Sequence, residues 1–597
     1  MTGATAHAND ELPGRDLSHL ISWRTRLLRY LAAALSGLLL SSAFPPLEWS
    51  FTAWFALVPL LLVLTPPMPS GRAWRLGWLF GFAHFATCLH WLNEVGFAAG
   101  YLLALVCAFF PMFWCRFVLA LFRCTGLRWN VSTVSGMSAA GASGAGIMAG
   151  RSTGVKRILL IVWPVLILPA SWVTSEWVRS WLFTGFPWNL LGVSQWQQAW
   201  LTPLVRITGV HGLTFLVVAV NAGVAITLRL WWQSGEEERA LPRLQALAPG
   251  ALALLFFLPA LAAVLFRPSL PPPDDTLRAA VVQGNIPQMR VYTPDQLRLS
   301  LDVYTRLSEE IAAQEAPDLI VWPETAIPAP VRFSREYVKE LGDLFAIMNT
   351  PLLVGSIDYR PVPSAEGGGT EAARESTASF NSAMLFSAMG KLRDFYDKIH
   401  LVPFGEYVPF ERLWPWLNDA IGMGRSLTPG AEYTLFRLPH GARAGVNICY
   451  EDVYPHISRR FALAGANLLI TLTNDAWYAQ SAGSRQHMVH AVFRAVETGR
   501  PLLRSGNNSD SCLIMPDGSV RGLLYDEQSG ERFIRAARLY RVPVWDSIPL
   551  TWYARHGNVF AHGCALLTGV ALAGVMVVYM LRKKQLHARV AGTNRPG

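Results

Sequence analysis

The octapeptide GVNICYED at positions 445–452 is the segment that most clearly predicts a local structure. Its first part is a short apolar run of the kind that forms a buried β-strand, and Cys449 follows where that strand should end. Taken alone, a cysteine in this position is more often a buried apolar residue than a nucleophile. Its meaning therefore depends on which other side chains the fold brings to the same edge of the sheet.

Two further segments end a predicted strand on polar residues. The run VWPET at 321–325 breaks at a proline and continues with Glu324. The run YDKIHLVPFGE at 396–406 places Lys398 just after a strand, and Glu406 in a loop with proline and glycine. Singly, the glutamate fits a cap and the lysine a solvated surface charge. Because α/β sheets place their sites at strand ends, we expect these side chains to meet the cysteine.

The surrounding region, residues 277–545, alternates between apolar β-rich runs and amphipathic helices. Thr293 followed by Pro294 predicts the start of one helix, and a second is expected after Ser334. We expect strands at 278–283, 318–322, 352–357, 382–387, 392–396, 444–448 and 467–472. Strands alternating with helices predict a layered α/β domain, and the pattern alone fits either a doubly wound sheet or a four-layer sandwich.

The chain as a whole is more apolar than a soluble protein. Of its 597 residues, 52% are hydrophobic and 15% are charged, and the mean hydropathy is +0.28. Soluble domains carry about 25% charged residues. Since a spanning helix needs about 20 mostly apolar residues, we expect an α-helical membrane bundle of about eight spans. These lie near 27–44, 51–66, 74–93, 98–121, 158–176, 206–228, 247–266 and 559–581.

Basic residues mark one side of these spans. Lys and Arg gather in alternate loops, whereas the loops at 45–50 and 94–97 carry none and 177–205 carries only Arg179. The positive-inside rule therefore places both termini in the cytoplasm and residues 267–558 outside it. The first span resembles a signal peptide, but it lacks a clear small-residue cleavage site and more spans follow, so we expect an uncleaved anchor.

The predicted spans divide the chain into consecutive segments. They are a cytoplasmic amino terminus at 1–26, a seven-span membrane domain at 27–266 with a flexible linker at 131–154, an extracytoplasmic domain at 267–558, a final transmembrane helix at 559–581 and a basic cytoplasmic tail at 582–597. The linker is rich in Gly, Ser and Ala, and a similar polar stretch at 363–377 predicts a surface loop.

Charge and cysteine content exclude other classes. The net charge of +10 does not indicate nucleic-acid binding, because many of the basic residues lie in the short loops between apolar stretches. The seven cysteines include no Cys-x-x-Cys pair or Cys/His cluster, so we expect no metal. Cys449 and Cys512 are the two in the mixed-composition region, and one pair is a weak case for a disulfide framework.

Taken together, these motifs resemble the nitrilase, or carbon–nitrogen hydrolase, superfamily. The matches are WPE at 322–324, DKIHLVPFGE at 397–406, NICYED at 447–452, TNDAW at 473–477 and RAVETGR at 494–500. Within that superfamily the chain is most similar to the apolipoprotein N-acyltransferase family. Further matches to that family are GFPWN at 185–189, VQGNIPQ at 282–288 and TWYARHGN at 551–558. The resemblance covers nearly the whole chain and implies an αββα sandwich for the outer domain.

The resemblance also implies a reaction and its residues. An acyl chain passes from a membrane phospholipid, phosphatidylethanolamine, to the α-amine of the diacylglyceryl-cysteine that begins a lipoprotein, through a cysteine thioester. Cys449 is then the nucleophile, Glu324 the base and Lys398 the oxyanion partner, helped by the Tyr450 backbone N–H. The supporting or substrate-binding residues are Glu406, Tyr450, Glu451, Tyr292, Asn474 and Trp477. The family implies no cofactor, and a monomer in the bacterial cytoplasmic (inner) membrane.

The sequence departs from the family pattern at two places. Tyr292 stands where the family often has tryptophan, and Asn507-Asn508-Ser509 replaces Asn-Thr-Gly. The first change is expected to affect how lipid is gripped, and the second to affect a loop. Neither departure touches the three proposed catalytic residues.

Other interpretations remain open. A membrane-tethered amidase that hydrolyses C–N bonds with water would use the same three residues, although the membrane helices favour a lipid substrate. A scaffold or transporter is disfavoured by the intact motifs and by the few charged residues inside the spans. Trp414, Trp416 and Leu417 either dip into the membrane interface or pack in the core.

Overall fold

The structure is a computed structural model, which describes residues 17–66, 68–124, 154–233, 243–266, 269–288, 293–328, 335–362, 376–411, 413–414, 416 and 426–593. Tyr292, Leu417 and all but the last residue of the predicted linker at 131–154 lie outside these residues. The described chain forms a helical domain, residues 17–266 with the last long helix, and an α/β domain between them.

The helical domain is built from apolar helices that pack on one another. They are α1 (Leu17–Ser41), α2 (Val58–Val63), α3 (Ser70–Cys88), α4 (Ala99–Cys107), α5 (Phe109–Cys124), α6 (Gly154–Arg179), α7 (Thr202–Thr208), α8 (Val210–Gln233), α9 (Arg243–Ala246), α10 (Ala248–Leu255) and α11 (Phe257–Leu265). Helix α3 packs against α1, α4 and α5, and α6 packs against α8. Leu76 and Phe80 of α3 are consequently fully buried.

Four helical segments of the described chain are long and apolar enough to cross a membrane. They are Ala99–Cys124, Val210–Trp232, Ala248–Leu265 and Val559–Gln585. The segment Ser50–Val63 is apolar but shorter, as expected for the second predicted span. The remaining predicted spans coincide with α1, α3 and α6, and the count of eight stays a prediction.

The α/β domain contains two sheets of six strands each. Its strands are β1 (Asp275–Gln283), β2 (Leu319–Val321), β3 (Leu352–Val362), β4 (Ser376–Phe386), β5 (Leu392–Asp397), β6 (Leu435–Arg437), β7 (Arg443–Ile448), β8 (Leu468–Thr473), β9 (Leu502–Gly506), β10 (Cys512–Ile514), β11 (Val520–Arg521) and β12 (Ala536–Val544). The first sheet has the order β12-β1-β2-β3-β4-β5 and the second β11-β10-β9-β8-β7-β6. Parallel pairing at the centre, β1 with β2 and β7 with β8, brings the ends of the motif-bearing strands together.

Helices cover the outer faces of the two sheets. They are α12 (Pro294–Glu315), α13 (Arg335–Met348), α14 (Pro455–Leu463) and α15 (Ala482–Thr498). Later in the chain come the short helix α16 (Trp552–His556) and α17 (Val559–Thr593), the last long helix of the helical domain. Along β1, Ala280 and Val282 pack with the apolar faces of α12 and α13. The alternate residues Ala279 and Val281 join the core that contains β7 and β8. This two-faced burial means that the sheets are apposed and the domain is an αββα sandwich.

Local sequence signals account for most of these elements. The predicted start of α12 is confirmed, because Thr293 and Gln296 form a capping box. The expected strands are present with shifted ends, and β4 begins at Ser376, inside the predicted surface loop. Strands β6 and β9 to β12 were not predicted. Helix α17 continues to Thr593, so most of the predicted tail is helical, and α1 begins at Leu17, before the first predicted span.

Helix α15 joins the two domains. The buried side chain of Gln486 accepts hydrogen bonds at Oε1 from Nε1 of Trp91 (3.0 Å) and of Trp188 (2.8 Å). Its Nε2 donates to the carbonyl oxygens of Pro45 (2.9 Å) and Cys88 (3.1 Å). Asn189 Nδ2 also donates to Oε1 (3.3 Å). Because all these partners belong to the helical domain, Gln486 helps to fix the α/β domain to it, together with other contacts such as the hydrogen bond from the backbone N–H of Val210 to Glu497 of α15.

Candidate active site

Glu324 stands at the carboxyl end of β2, in a turn that a glycine permits. A Cβ added at Gly355 of β3 would lie 2.5 Å from the Cα of Glu324 and 2.5 Å from the carbonyl oxygen of Pro323. Only glycine lets the two chain segments approach this closely. The Glu324 side chain is 5% exposed, so its carboxylate is held within the protein rather than in solvent.

Lys398 follows β5 and points into a buried group of acidic side chains. Its Nζ lies 2.8 Å from Oε1 of Glu406 and 3.4 Å from Oε1 of Glu324. The lysine is 1% exposed. Burial lowers the pKa of this ammonium, but the charges of Glu406 and Glu324 outweigh burial and raise it. Lys398 is therefore a fixed cation, as the role of oxyanion partner requires.

Asn381 of β4 completes this arrangement, and sequence reasoning missed it. Its Nδ2 donates to Oε1 of Glu324 (2.7 Å) and to Oε1 of Glu406 (2.9 Å). The other oxygen of Glu324 accepts the backbone N–H of Asn474 (3.0 Å), and the other oxygen of Glu406 accepts that of Val402 (2.8 Å). We call Glu324, Lys398, Glu406 and Asn381 the lysine cluster. Each of its carboxylate oxygens is held by at least one donor.

Cys449 lies at the end of β7, beside the lysine cluster. Its backbone φ is +51°, in the left-handed region that non-glycine residues seldom adopt. Burial raises the pKa of its thiol, the charge of Glu324 raises it further, and the charge of Lys398 opposes them. The three predicted residues are thus close enough to influence one another. A thiol with a raised pKa is protonated at neutral pH and needs a base to become a nucleophile.

Glu451 connects the cysteine strand to the lysine loop. Its Oε1 accepts the backbone N–H groups of Ile399 (2.7 Å) and His400 (3.1 Å), and its Oε2 accepts that of Ile448 (2.8 Å). Tyr396 also donates its hydroxyl to Oε1 (2.8 Å). Burial raises the pKa of Glu451 to about 7, although the donated backbone N–H groups lower it. The residue therefore links the segment before Cys449 to the segment after Lys398.

The remaining predicted residues lie around this centre. Asn474 donates from Nδ2 to Gln288 (2.7 Å) and accepts at Oδ1 from Asn507 (2.9 Å). The Tyr450 ring is buried, with its centroid 6.1 Å from that of Trp188. Trp477 is 39% exposed. An oxyanion role for the Tyr450 N–H stays a prediction.

A second buried group of charges lies close to Cys449. Arg504 of β9 donates from Nη1 to Asp452 (2.9 Å) and from Nη2 to Asp475 (2.9 Å). His487 of α15 places Nδ1 2.8 Å from Oδ1 of Asp475 and Nε2 2.9 Å from Oδ1 of Asp452. We call these four residues the histidine cluster. Of the four, Asp452 lies in the 447–452 motif and Asp475 in the 473–477 motif, but sequence reasoning assigned neither a role and missed His487 and Arg504.

The histidine cluster is not built to hold a metal. Ligand atoms of Cys449, Asp475 and His487 lie within 4.8 Å of one another. Both ring nitrogens of His487 face aspartates, and both oxygens of Asp475 already have partners. Two buried cations balance two buried carboxylates, so a further cation would meet no uncompensated charge. Cys449 and Cys512 are both free thiols.

Two apposed sheets with a glutamate, a lysine and a cysteine at their strand ends define an enzyme of the carbon–nitrogen hydrolase class. The family model for carbon–nitrogen hydrolase matches residues 278–535. The model for the apolipoprotein N-acyltransferase N-terminal domain matches residues 36–223. The two matches together cover most of the helical domain and most of the sandwich.

Relatives along the whole chain give the particular family. An apolipoprotein N-acyltransferase of Geobacter metallireducens is 33% identical, over 94% of this chain and 96% of its own. One of Brucella suis is 30% identical, over 85% of this chain and 88% of its own. A solved amidase of the nitrilase superfamily from Nesterenkonia AN1 matches 49% of this chain and 99% of its own, at 18% identity and a TM-score of 0.33. The chain belongs to the apolipoprotein N-acyltransferase family and is a membrane protein.

Proposed function

We propose that this chain transfers an acyl group from a membrane phospholipid to the α-amine of the diacylglyceryl-cysteine at the start of lipoproteins. One observation carries the proposal. A buried thiol, Cys449, adjoins a lysine held between two carboxylates, in a chain whose relatives are named apolipoprotein N-acyltransferase. The apolar helices support a lipid substrate, because a diacyl lipid does not readily leave the bilayer at about 0.8 kcal/mol per buried CH₂.

In the first half-reaction Cys449 becomes acylated. Glu324 takes the proton of the thiol, and the sulfur attacks the carbonyl carbon of the phospholipid ester. Negative charge then develops on the carbonyl oxygen, where the Nζ–H of Lys398 stabilises it. The C–O bond of the ester breaks, the departing oxygen takes the proton from Glu324, and a lysophospholipid leaves. The enzyme retains the acyl chain as a thioester.

In the second half-reaction the acyl chain moves to the lipoprotein. The α-amine attacks the thioester carbon, Glu324 accepts a proton from the amine, and Lys398 again stabilises the oxyanion. The C–S bond breaks, and the proton returns to the sulfur of Cys449. The products are an amide-linked acyl chain and the free enzyme, so no diffusible cofactor is consumed.

The supporting residues have distinct proposed roles. Glu406 holds the ammonium of Lys398, and Glu451 fixes the loop that follows it to the strand that ends at Cys449. The backbone of Asn474 orients Glu324. Tyr450, Trp477 and Tyr292 are proposed to contact substrate, with phosphatidylethanolamine as the donor.

We further propose that the enzyme is a monomer with eight spans in the bacterial inner membrane, and that residues 267–558 face the outer side. The alternation of basic loops supports this orientation. Trp414 and Trp416 are 50% and 63% exposed, which supports contact with the membrane interface over core packing. Reporter fusions after Arg243 and after Pro268 should report opposite sides, and the same side for both contradicts the topology.

The function is tested by following the acyl chain into a lipopeptide. Purified enzyme in vesicles receives acyl-labelled phosphatidylethanolamine and a diacylglyceryl-cysteine peptide with a free α-amine. Mass spectrometry should find the label in an amide at that amine, and a matched peptide with an acetylated amine should gain none. Release of labelled fatty acid without peptide acylation would instead identify a hydrolase.

A further inference from the structure

We propose that His487 is a positioning residue for Cys449. Its imidazolium is held between Asp452 and Asp475, donates from Nε2 to the main-chain carbonyl of Cys449, and so holds the nucleophile in its left-handed backbone conformation. The proposal deepens the proposed function and rests on Cys449 being its nucleophile. It concerns a residue outside the lysine cluster that contacts the main chain of the cysteine.

The geometry around the ring defines its protonation. Nδ1 lies 2.8 Å from an oxygen of Asp475, and Nε2 lies 2.9 Å from an oxygen of Asp452 and 3.2 Å from the carbonyl oxygen of Cys449. A neutral imidazole would turn one lone pair toward an acceptor. All three neighbouring atoms are acceptors, so the ring carries hydrogen on both nitrogens and is a cation.

Burial and charge agree with this assignment. His487 is fully buried. Burial lowers the pKa of its imidazole, but the charges of Asp452 and Asp475 outweigh burial and raise it to about 9. In the described part of the chain, the next buried histidine on the same helix, His490, pairs with no carboxylate, and burial together with the charge of Arg494 lowers its pKa. Two histidines on one helix therefore differ in charge because of what they face.

The contact with Cys449 matters because the cysteine backbone is strained. A φ of +51° at a non-glycine residue is unfavourable in itself and persists only where surrounding contacts hold it. The hydrogen bond from His487 reaches the carbonyl of that same residue. His487 also pairs with Asp475, whose charge raises the pKa of the Cys449 thiol. Removing the imidazolium would free the carbonyl and expose the thiol to a less compensated carboxylate.

The position of His487 also connects the nucleophile to the helical domain. The preceding residue, Gln486, bonds to Trp91 and Trp188 of that domain. The Trp188 ring lies 5.6 Å from the His487 ring. A short segment of α15 thus holds the membrane part on one side and the backbone of Cys449 on the other.

The pH profile of acylation separates this role from a merely structural one. The titratable or charged groups around His487 are Asp452, Asp475, Arg504, His490, Tyr478 and Cys449. Burial raises the pKa of the Cys449 and Tyr478 groups well above their usual values. His487 is positively charged below about pH 9 and loses its proton as the pH rises through that value. Thioester formation from labelled phospholipid should therefore fall above about pH 9.

Substitutions test whether the fall in thioester formation above about pH 9 is caused by deprotonation of His487. His487→Gln should lower kcat for thioester formation on the order of 10- to 100-fold at neutral pH, leave KM nearly unchanged, and remove the loss near pH 9. Asp452→Asn should move the loss to lower pH, because one of the two carboxylates that raise the histidine pKa is gone. The control His490→Gln should leave the alkaline loss where it is. An unchanged alkaline loss in both His487→Gln and Asp452→Asn would overturn the proposal.

Alkylation of Cys449 by iodoacetamide tests the same idea without any lipid. Peptide mass spectrometry should show alkylation of Cys449 about tenfold slower in His487→Gln than in the native enzyme, and unchanged in His490→Gln. Equal rates in His487→Gln and native enzyme would overturn the positioning role. A native enzyme that is alkylated normally but never forms a thioester would contradict the proposed function instead.

Discussion

The two buried clusters close to Cys449 differ in their charge balance. The lysine cluster holds one cation, Lys398, against two carboxylates, those of Glu324 and Glu406. The histidine cluster holds two cations and two carboxylates, each cation touching both aspartates. The lysine cluster has one more carboxylate than cations, so one carboxylate can accept a proton. The histidine cluster has equal numbers of both charges and is suited to fixing structure. Changes in the first should therefore affect chemistry, and changes in the second should affect stability or the position of the nucleophile.

The largest effect is expected at the cation of the lysine cluster. Lys398→Arg keeps the charge, but a planar guanidinium cannot place a single nitrogen between the two carboxylates and the reacting carbonyl. Thioester formation should fall on the order of 10³-fold, with normal membrane insertion. Lys391→Arg, at an exposed lysine just before β5, is the matched control. Turnover within a few-fold of native would mean that Lys398 does not contact the reacting group.

The balanced cluster should respond in stability. Arg504→Met leaves two buried aspartates with only His487 between them, which should cost about 3–5 kcal/mol of unfolding free energy. The measurement is thermal and denaturant unfolding of the detergent-solubilised protein, compared with Arg538→Met at an exposed position on β12. Lys398→Arg should unfold almost like the native protein. If Arg504→Met and the native protein have the same free energy of unfolding, the histidine cluster does not stabilise the fold and the proposed difference between the clusters is wrong.

The base of the lysine cluster should be the next most sensitive position. Glu324→Gln keeps the shape of the side chain but loses the proton acceptor, so acylation should slow on the order of 100-fold at neutral pH. Relative to the native rate at the same pH, the rate of the variant should recover partly at alkaline pH, where a larger fraction of the Cys449 thiol loses its proton without help. A time course of thioester formation at several pH values measures both effects. A loss that stays constant with rising pH would argue against Glu324 as the base.

A smaller effect is expected where an amide holds the two carboxylates. Asn381→Ala removes the donor shared by Glu324 and Glu406, and acylation should slow about tenfold because both carboxylates lose one hydrogen bond. Thr377→Ala, at an exposed position near the start of the same strand, is the control. If both variants match the native rate, Lys398 alone is enough to order the cluster.

The difference between the clusters also explains what the sequence could predict. Glu324, Lys398 and Cys449 each lie just after a predicted strand, within a recognisable motif. Because α/β sheets place their sites at strand ends, the sequence predicted that these three side chains lie close together. Asn381, His487 and Arg504 lie inside β4, α15 and β9, where no turn or motif boundary draws attention to a polar residue. Their partners are distant in sequence, and only the packing of the two sheets brings them together.

The periodicity of the sequence could not show that two sheets pack face to face, because the same strand pattern fits both a doubly wound sheet and a sandwich. The structure decides between these folds, because alternate residues of β1 are buried in two different hydrophobic cores. Spans with few charges, such as Val210–Trp232, were predicted well from composition. Helix ends were predicted less well, since α17 continues past its apolar part to Thr593.

The most direct test of Cys449 as the acyl carrier is to trap the label on it. Enzyme incubated with acyl-labelled phospholipid is denatured, and the label is followed by hydroxylamine release and by mass spectrometry of the peptide that contains Cys449. The native enzyme and Cys512→Ala should carry a hydroxylamine-sensitive acyl group on Cys449, Cys449→Ala should carry none, and Cys449→Ser should carry almost none. Hydroxylamine-sensitive label on Cys449→Ala would place the nucleophile elsewhere and contradict the mechanism.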